Sequence, residues 1–96
     1  MKAITNLIPV GRENAVSRFV LCWETGERDR QIRREIAEAR REGDLILNRQ
    51  DGGGYYRPSN PQEVLRWYRQ EHARAMKILV GLTPARRWLK EHDVDV

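Results

Sequence analysis

The chain has 96 residues and a formal net charge of +4. This length suits one compact domain, because a second hydrophobic core needs roughly 50 further residues. With 40% hydrophobic and 33% charged residues, the composition is that of a folded globular protein rather than a disordered one. The only cysteine, Cys22, excludes an intrachain disulfide and a four-cysteine zinc site.

The apolar stretches of the sequence are all short. None approaches the roughly 20 apolar residues that cross a bilayer, and the N-terminal residues are too polar for a secretory signal peptide. A lone cysteine fits a reducing compartment. We therefore expect a cytoplasmic protein that does not enter the membrane.

Arginine dominates the positive charge. The 18 basic residues outnumber 14 acidic ones, and 15 of the 18 are arginine, whose planar guanidinium suits phosphates and guanine edges. The densest basic segment is Arg28–Arg34, with four arginines and one aspartate. The charge favours an anionic partner, nucleic acid first, although a solvated charged surface would give the same composition.

The N-terminal third predicts a short apolar segment followed by a helix. Residues 3–10 are interrupted by Pro9, which favours a short strand or an extended arm. A first helix can be capped by Asn14 or Ser17 and is stopped by Gly26. Its apolar residues recur at spacings of three and four: Val16, Phe19, Val20 and Trp23.

A second helix is predicted over Asp29–Glu42, which contains no glycine or proline and is followed by Gly43. One face is apolar and consists of Ile32, Ile36 and Ala39. By helix geometry, the opposite face lies about 140° to 200° away and carries Arg30, Arg34, Ala37 and Arg41. Such a face suits a DNA major groove, since arginines reach phosphates and bases while a small alanine lets the backbone approach. The alternative is a solvated face balanced by ion pairs with Glu35, Glu38 and Glu42.

A β-hairpin is predicted after the second helix. Residues 45–47 form the first strand, Asp51–Gly54 the turn and Tyr55–Tyr56 the second strand, which Pro58 ends. Neighbouring strand residues point to opposite faces, so one tyrosine is expected in the core and the other is free to stack or contact phosphate. The three glycines do not form a phosphate-binding P-loop, because the lysine and the following helix are missing.

The C-terminal third predicts a long helix and a short one. Asn60, Pro61 and Glu63 start a helix that runs to about Val80, and a final helix begins at Thr83. One row of the long helix, which we call the seam, alternates spacings of three and four: Leu65, Tyr68, His72, Ala75, Leu79 and Leu82. This seam either packs on the core of its own chain or forms a homodimer interface, with Trp67 off the seam covering the core.

From Ser17 to Tyr56 the chain resembles the winged helix-turn-helix family. Gly26 matches the turn glycine of that family. Three more positions match the family by their distance from Gly26. Cys22 is the small residue four positions before it, Leu21 the apolar residue five before it, and Ile32 the apolar residue six after it. The chain as a whole is similar to small DNA-binding regulators of prophage and plasmid type.

This resemblance implies that the second helix reads DNA in the major groove and that residues 49–57, the wing, reach the backbone or minor groove. The DNA-contact positions of the family fall on Arg28, Asp29, Arg30, Arg33 and Arg34. Two residues depart from the family pattern: Glu27 and Glu35 stand where apolar residues are usual, although Ile36 can replace the second. The long leading helix is also missing, so we expect the C-terminal helix to cover the exposed side of the core.

Catalytic and metal-binding patterns are weak. Cys22 lies in an apolar helical segment without a partnered base. His72 and His92 lack the close spacing of zinc ligands, and the glutamates of the second helix lie among arginines that balance them. We expect no enzyme, no metal and no other cofactor.

The sequence therefore predicts a mostly α fold with a small β-hairpin, a winged helix-turn-helix with an added C-terminal helix. The single domain, 1–96, comprises a helix-turn-helix over 14–43, a wing over 44–58 and a helical extension over 60–92. Its expected function is that of a transcription regulator on double-stranded DNA; the alternative is a protein-interaction module that does not bind DNA. The predicted DNA contacts are Arg28, Asp29, Arg30, Arg33, Arg34, Arg41, Arg49 and Arg57, and the predicted dimer contacts are Leu65, Tyr68, His72, Ala75 and Leu79.

Overall fold

The computed structural model describes residues 4–95. The chain is mostly helical, with 63% of its residues in helices and one small antiparallel sheet, which confirms the predicted helix-rich fold with a hairpin. Its elements are α1 (Arg18–Thr25), α2 (Asp29–Arg41), β1 (Leu47–Asn48), β2 (Tyr55–Tyr56), α3 (Pro61–Gly81) and α4 (Thr83–Glu91). Within residues 4–95, no helix combines the length and apolarity needed to cross a membrane.

The N-terminal segment is helical rather than extended. Ile4–Leu7 forms a 3-10 helix, and so does Arg12–Asn14. The prediction of a strand or arm over residues 3–10 is therefore wrong for Ile4–Leu7, whereas Val10 is extended and forms a parallel β-bridge with Arg57; Ala3 lies outside the described residues. The reason is the spacing of the apolar residues, because Ile4 and Ile8 lie on one side of the turn and both enter the core.

Helix α1 has its predicted ends but not the expected buried face. The Ser17 hydroxyl accepts a hydrogen bond from the Val20 amide at 3.2 Å, and Gly26 closes the helix at φ 76°. Leu21 enters the core, whereas Phe19 is 77% and Trp23 81% exposed. Of the apolar repeat predicted for α1, Phe19, Val20 and Trp23 therefore lie on the solvent face, since both aromatic residues lie about 160° from Leu21 around the helix. Val16 precedes the helix and packs against the core.

Helix α2 supplies the largest share of the core. Ile32, Ile36 and Ala39 are buried as predicted and pack against Leu21 and Ile46. The helix ends one residue before its predicted limit, and the chain then turns at Gly43, whose φ of 98° favours glycine. This amphipathic pattern is confirmed.

The hairpin pairs Leu47 with Tyr56 and Asn48 with Tyr55. Val16 extends this sheet: its amide donates to the Tyr55 carbonyl at 3.0 Å, and the Tyr55 amide donates to the Val16 carbonyl at 2.8 Å. Gly54, at φ 98°, lies directly against this pairing, and a Cβ there would stand 1.9 Å from the Val16 carbonyl oxygen. The turn therefore requires glycine at 54 for two separate reasons.

Both hairpin tyrosines are buried. Tyr55 faces the core, and Tyr56 faces the other side, where Arg12 and Glu63 lie near it. Burial raises the pKa of Tyr56. The prediction that one tyrosine would be free to contact phosphate is therefore wrong, because the N-terminal end of α3 covers the second face of the hairpin.

Helix α3 begins as predicted: the Asn60 side chain accepts a hydrogen bond from the Glu63 amide at 3.0 Å. It rests on the hairpin through Trp67, whose indole nitrogen donates to Asn48 Oδ1 at 2.9 Å, and through Glu71, which accepts from Gln50 at 2.9 Å. Its remaining turns and α4 continue away from the body, by which we mean residues 4–58. The radius of gyration is accordingly 17.3 Å, against about 13 Å for a compact chain of this size.

None of the residues of α3 and α4 that the structure describes is buried. All six seam residues are exposed. The possibility that the seam packs on the core of its own chain is therefore wrong. The body-facing row of α3 consists instead of Glu63, Val64, Trp67 and Glu71, about 100° around the helix from the seam.

The two-fold requirement for glycine at 54 can be tested with a matched pair of variants. We expect Gly52→Ala to lower the free energy of unfolding by about 1 to 2 kcal/mol, because its φ of 81° strains an alanine but its Cβ would meet no atom within 4 Å. Gly54→Ala should cost at least ~2 kcal/mol more, because its Cβ also collides with Val16. Urea unfolding measures both; equal losses would contradict the packing of Val16 on the turn.

Candidate nucleic-acid interface

The outer face of α2 carries the predicted arginine row. Arg30, Arg34 and Arg41 are exposed on the side opposite Ile32 and Ile36, and Ala37 lies among them. From Arg30 to Arg41 the row is about 17 Å long. The core therefore positions this row, because burying one side of α2 leaves the arginines on the other.

These arginines are free of acidic partners. Within residues 4–95, no carboxylate lies within ion-pair distance of Arg28, Arg30, Arg34 or Arg41. The ion pairs expected of a charge-balanced face, between these arginines and the glutamates of α2, are not formed in this described part. These four guanidinium groups therefore have no ion-pair partner within residues 4–95.

Asp29, a predicted DNA contact, is instead held between two arginines. Its carboxylate lies 2.9 Å from Arg18 Nε and 3.2 Å from Arg33 Nε. These pairs brace α1 against the start of α2 and occupy Asp29. Arg18 was not among the predicted contacts; no sequence pattern identifies it, because its partner lies on another helix.

Three of the six residues that line an open cleft at the start of α2 are arginines. The cleft has a volume of about 490 Å³, and its lining residues are Gly26, Glu27, Arg28, Arg30, Gln31 and Arg34. Arg28 occupies the N-cap position, and because a guanidinium has no acceptor, its side chain leaves the first amides of α2 uncapped. Amides and guanidinium groups together suit an anion.

The wing carries less free charge than predicted. Arg49 binds Asp51 through two nitrogens, at 3.1 and 2.5 Å, and Asp51 also accepts from the Gly53 amide at 3.0 Å. The Arg49 hydrogen bond and the Gly53 amide lower the pKa of Asp51. Gly52, at the tip, shares an open cleft with Arg18 and Asp29, which puts the tip beside the start of α2.

Arg57, the last predicted wing contact, is engaged within the protein. Its guanidinium binds both carboxylate oxygens of Asp44 and donates to the Thr5 carbonyl at 2.7 Å. The side chain is 28% exposed. Arg57 joins the N-terminal segment to the end of the hairpin. Its guanidinium is therefore not part of the candidate nucleic-acid interface.

Arg40 is a structural residue that the sequence reading missed. Its Nε donates to the Ile46 carbonyl at 2.8 Å and its Nη2 to Asn48 Oδ1 at 3.1 Å, while the guanidinium lies 5.4 Å from the Trp67 ring centre. Burial lowers the pKa of Arg40. The sequence offered a signal for this structural role, because position 40 lies about 80° from Ile32 around α2 and thus near the buried face.

The two glutamates that depart from the family pattern are neighbours in space. One carboxylate oxygen of Glu27 and one of Glu35 are shielded from solvent and accept no hydrogen bond from the described residues. Burial raises the pKa of Glu35, and a hydrogen bond with Glu27 and its negative charge raise it further, while Gln31 opposes this. A proton on Glu35 supplies the missing hydrogen-bond donor.

No metal-binding set was found among residues 4–95, where no three histidine, cysteine or acidic side chains lie close enough to hold an ion. Cys22 is a free, half-buried thiol. Its neighbours are the apolar residues of the core. The arginine face of α2 is thus the most distinctive chemical feature of the described chain.

No family model, curated protein or solved structure matches this chain. The functional argument therefore depends on the geometry of the surface.

The carboxyl pair at the turn predicts a pH-dependent stability. Because the Glu35 pKa is raised in the folded state, folding favours the protonated form, and stability should fall as pH rises above the usual value of 4.5. Glu35→Gln should remove this decline and stabilise the protein at pH 7 by about 0.5 kcal/mol, a value reduced for solvent screening.

Urea unfolding at several pH values measures this effect. Glu38→Gln is the matched control, because it removes the same charge from the exposed face of α2 and leaves the pair intact. We expect the control to retain the decline. A wild-type curve parallel to that of Glu35→Gln between pH 4 and 7 would contradict the coupling of Glu27 with Glu35.

Proposed function

We propose that this protein binds double-stranded DNA and inserts α2 into the major groove. The observation that carries the proposal is the row of exposed arginines on α2, which have no carboxylate partner within residues 4–95. A free guanidinium binds phosphate or a guanine edge in two places at once, whereas one paired with a carboxylate must first break that pair.

The dimensions of the row fit this role. The major groove is about 12 Å wide and accepts a single helix. Ala37 leaves room at the middle of the face, so the backbone of α2 can approach the base edges between Arg34 and Arg41. Arg28 and the open amides at the start of α2 are suited to a phosphate at the groove edge.

The order of the elements supports a winged helix-turn-helix reading. Helices α1 and α2 are joined by a turn at Gly26, and a hairpin follows that packs on the same core. In this reading the wing contributes its glycine-rich tip, which lies beside Arg18 of α1, near the DNA backbone. The protein then acts as a small transcription regulator by occupying its site, and regulation by a ligand requires a second protein.

A second candidate is a protein-interaction module. It is favoured by Phe19 and Trp23, which are 77% and 81% exposed and lie one turn apart on α1. Exposed aromatic pairs of this kind are frequent anchors of protein interfaces. This function predicts a complex that is insensitive to salt and lost in Trp23→Ala.

Fluorescence anisotropy with a random 30-bp duplex, at two salt concentrations, tests DNA binding. We expect an affinity that falls steeply with salt, because binding releases counterions from the phosphates. The double variant Arg30→Ala/Arg34→Ala should weaken binding. The slope of log affinity against log salt concentration should fall in magnitude by about one to two, which corresponds to the loss of one to two phosphate contacts. Once a specific site is selected, each substitution should cost about 1 to 3 kcal/mol there.

The control is Arg66→Ala/Lys77→Ala, which removes the same charge from the outer face of α3. This variant should bind like the wild type. The variant Arg30→Lys/Arg34→Lys separates the two contributions, because it keeps charge for phosphates and loses the two-pronged base contact. Equal affinity of the wild type and the three double variants would refute the assignment of α2 as the DNA-binding helix. If the wild type does not bind DNA at low salt, the protein-interaction module is the remaining candidate function.

A further inference from the structure

The seam on α3 is an apolar surface that projects from the body. Leu65, Tyr68, Leu79 and Leu82 are between 41% and 60% exposed. Glu71 is the last α3 residue that a hydrogen bond joins to the body in the described chain. We propose that the seam is the contact surface of a two-fold symmetric homodimer in which two copies of α3 pack antiparallel.

The spacing of the seam is the same in both directions. Its residues follow one another at intervals of 3, 4, 3, 4 and 3. When a second copy runs antiparallel about an axis between His72 and Ala75, every seam residue lies opposite a seam residue. The three kinds of pair are Leu65 with the partner's Leu82, Tyr68 with the partner's Leu79, and His72 with the partner's Ala75.

Side-chain volume distinguishes the two directions of packing. The antiparallel register puts the large His72 ring opposite the small Ala75, and a tyrosine opposite a leucine. A parallel pair would instead stack His72 on its equivalent, then Tyr68 on its equivalent, and leave a gap where two alanines meet. Interiors pack at uniform density, so the antiparallel pair is the better filled.

The flanking residues are compatible with this register. Arg69 falls beside the partner's Met76, and Glu71 beside the partner's Ile78, so no like charges meet. Met76 and Ile78 are 46% and 62% exposed and widen the apolar strip. A second copy therefore covers these side chains without an unfavourable charge contact.

The open groove at the start of α3 adds to the surface. It is lined by Pro58, Ser59, Asn60, Pro61, Val64, Leu65 and Tyr68 and has a volume of about 620 Å³. Leu82 keeps right-handed helical angles, φ −83° and ψ −10°, so α4 continues from α3. In the antiparallel register the partner's α4 runs past this groove, and by symmetry the contact occurs twice.

The area needed for a stable dimer also favours this arrangement. The seam is about 26 Å long and a helix contact about 10 Å wide, which gives roughly 260 Å² in projection. Specific interfaces bury about 800 Å² on each partner. The seam alone falls short of this area, and the antiparallel pair adds the groove and an α4 on each side.

Sedimentation equilibrium tests dimer formation. We expect the wild type to be a dimer and Leu79→Asp to raise the dissociation constant at least ~100-fold, because a charge enters two symmetric layers. Val80→Asp is the matched control: Val80 is also exposed, but it lies outside the seam, and its variant should differ from the wild type by less than about threefold. Leu79 lies outside the core, so circular dichroism should report both variants as folded.

Disulfide cross-linking tests the direction. In a Cys22→Ser background, His72→Cys and Ala75→Cys are prepared as separate proteins and oxidised alone or mixed. We expect cross-linked dimers mainly in the mixture, because position 72 faces position 75 of the partner. A monomeric wild type up to roughly 1 mM would overturn the proposal. Equal effects of the two aspartate variants, or stronger cross-linking of each cysteine protein alone, would also overturn it.

Discussion

The half-buried guanidinium of Arg40 makes the contacts on which the arrangement of this chain depends. Arg40 belongs to α2 and donates to the Ile46 carbonyl at the start of the hairpin. It also donates to the side-chain oxygen of Asn48, which accepts a second hydrogen bond from the Trp67 indole of α3. Three elements therefore meet at Asn48. Removing the cation would take the Arg40 donor from the Ile46 carbonyl and leave Asn48 Oδ1 with the Trp67 indole alone, in a partly dehydrated place, which is costly. With Arg40 in place, the hairpin and α3 have one position relative to α2.

The contacts around Arg40 and Asn48 lie between two parts of the molecule whose surfaces differ in chemistry. The body presents the arginine face of α2, with α1 and the wing tip beside its start. Helix α3, held only along its first turns, carries a separate apolar seam away from the body. The proposed groove binding and the proposed self-association are compatible in a chain of this size because they use different elements. Binding at one then leaves the other accessible.

Arginines of this chain have different roles although they are the same type of residue. Arg30 and Arg34 point to solvent without partners, whereas Arg57 is paired with Asp44, and Arg49 with Asp51. Asp29 and Arg18 show the same effect, since their pairing joins two helices. A sequence pattern gives the position of a charge along an element. Whether a carboxylate from another element neutralises that charge depends on packing.

The sequence by itself determined the helices, their caps and the two faces of α2, because the spacing of apolar residues and the capping residues act within a few turns of chain. Ser17, Gly26, Asn60 and the row of Ile32, Ile36 and Ala39 follow directly from it. Only the tertiary structure decided that Phe19 and Trp23 face solvent, that both hairpin tyrosines are buried and that the seam has no cover within its own chain. Burial depends on which elements meet, and here those contacts are made by single side chains, above all Arg40, Arg57 and Trp67.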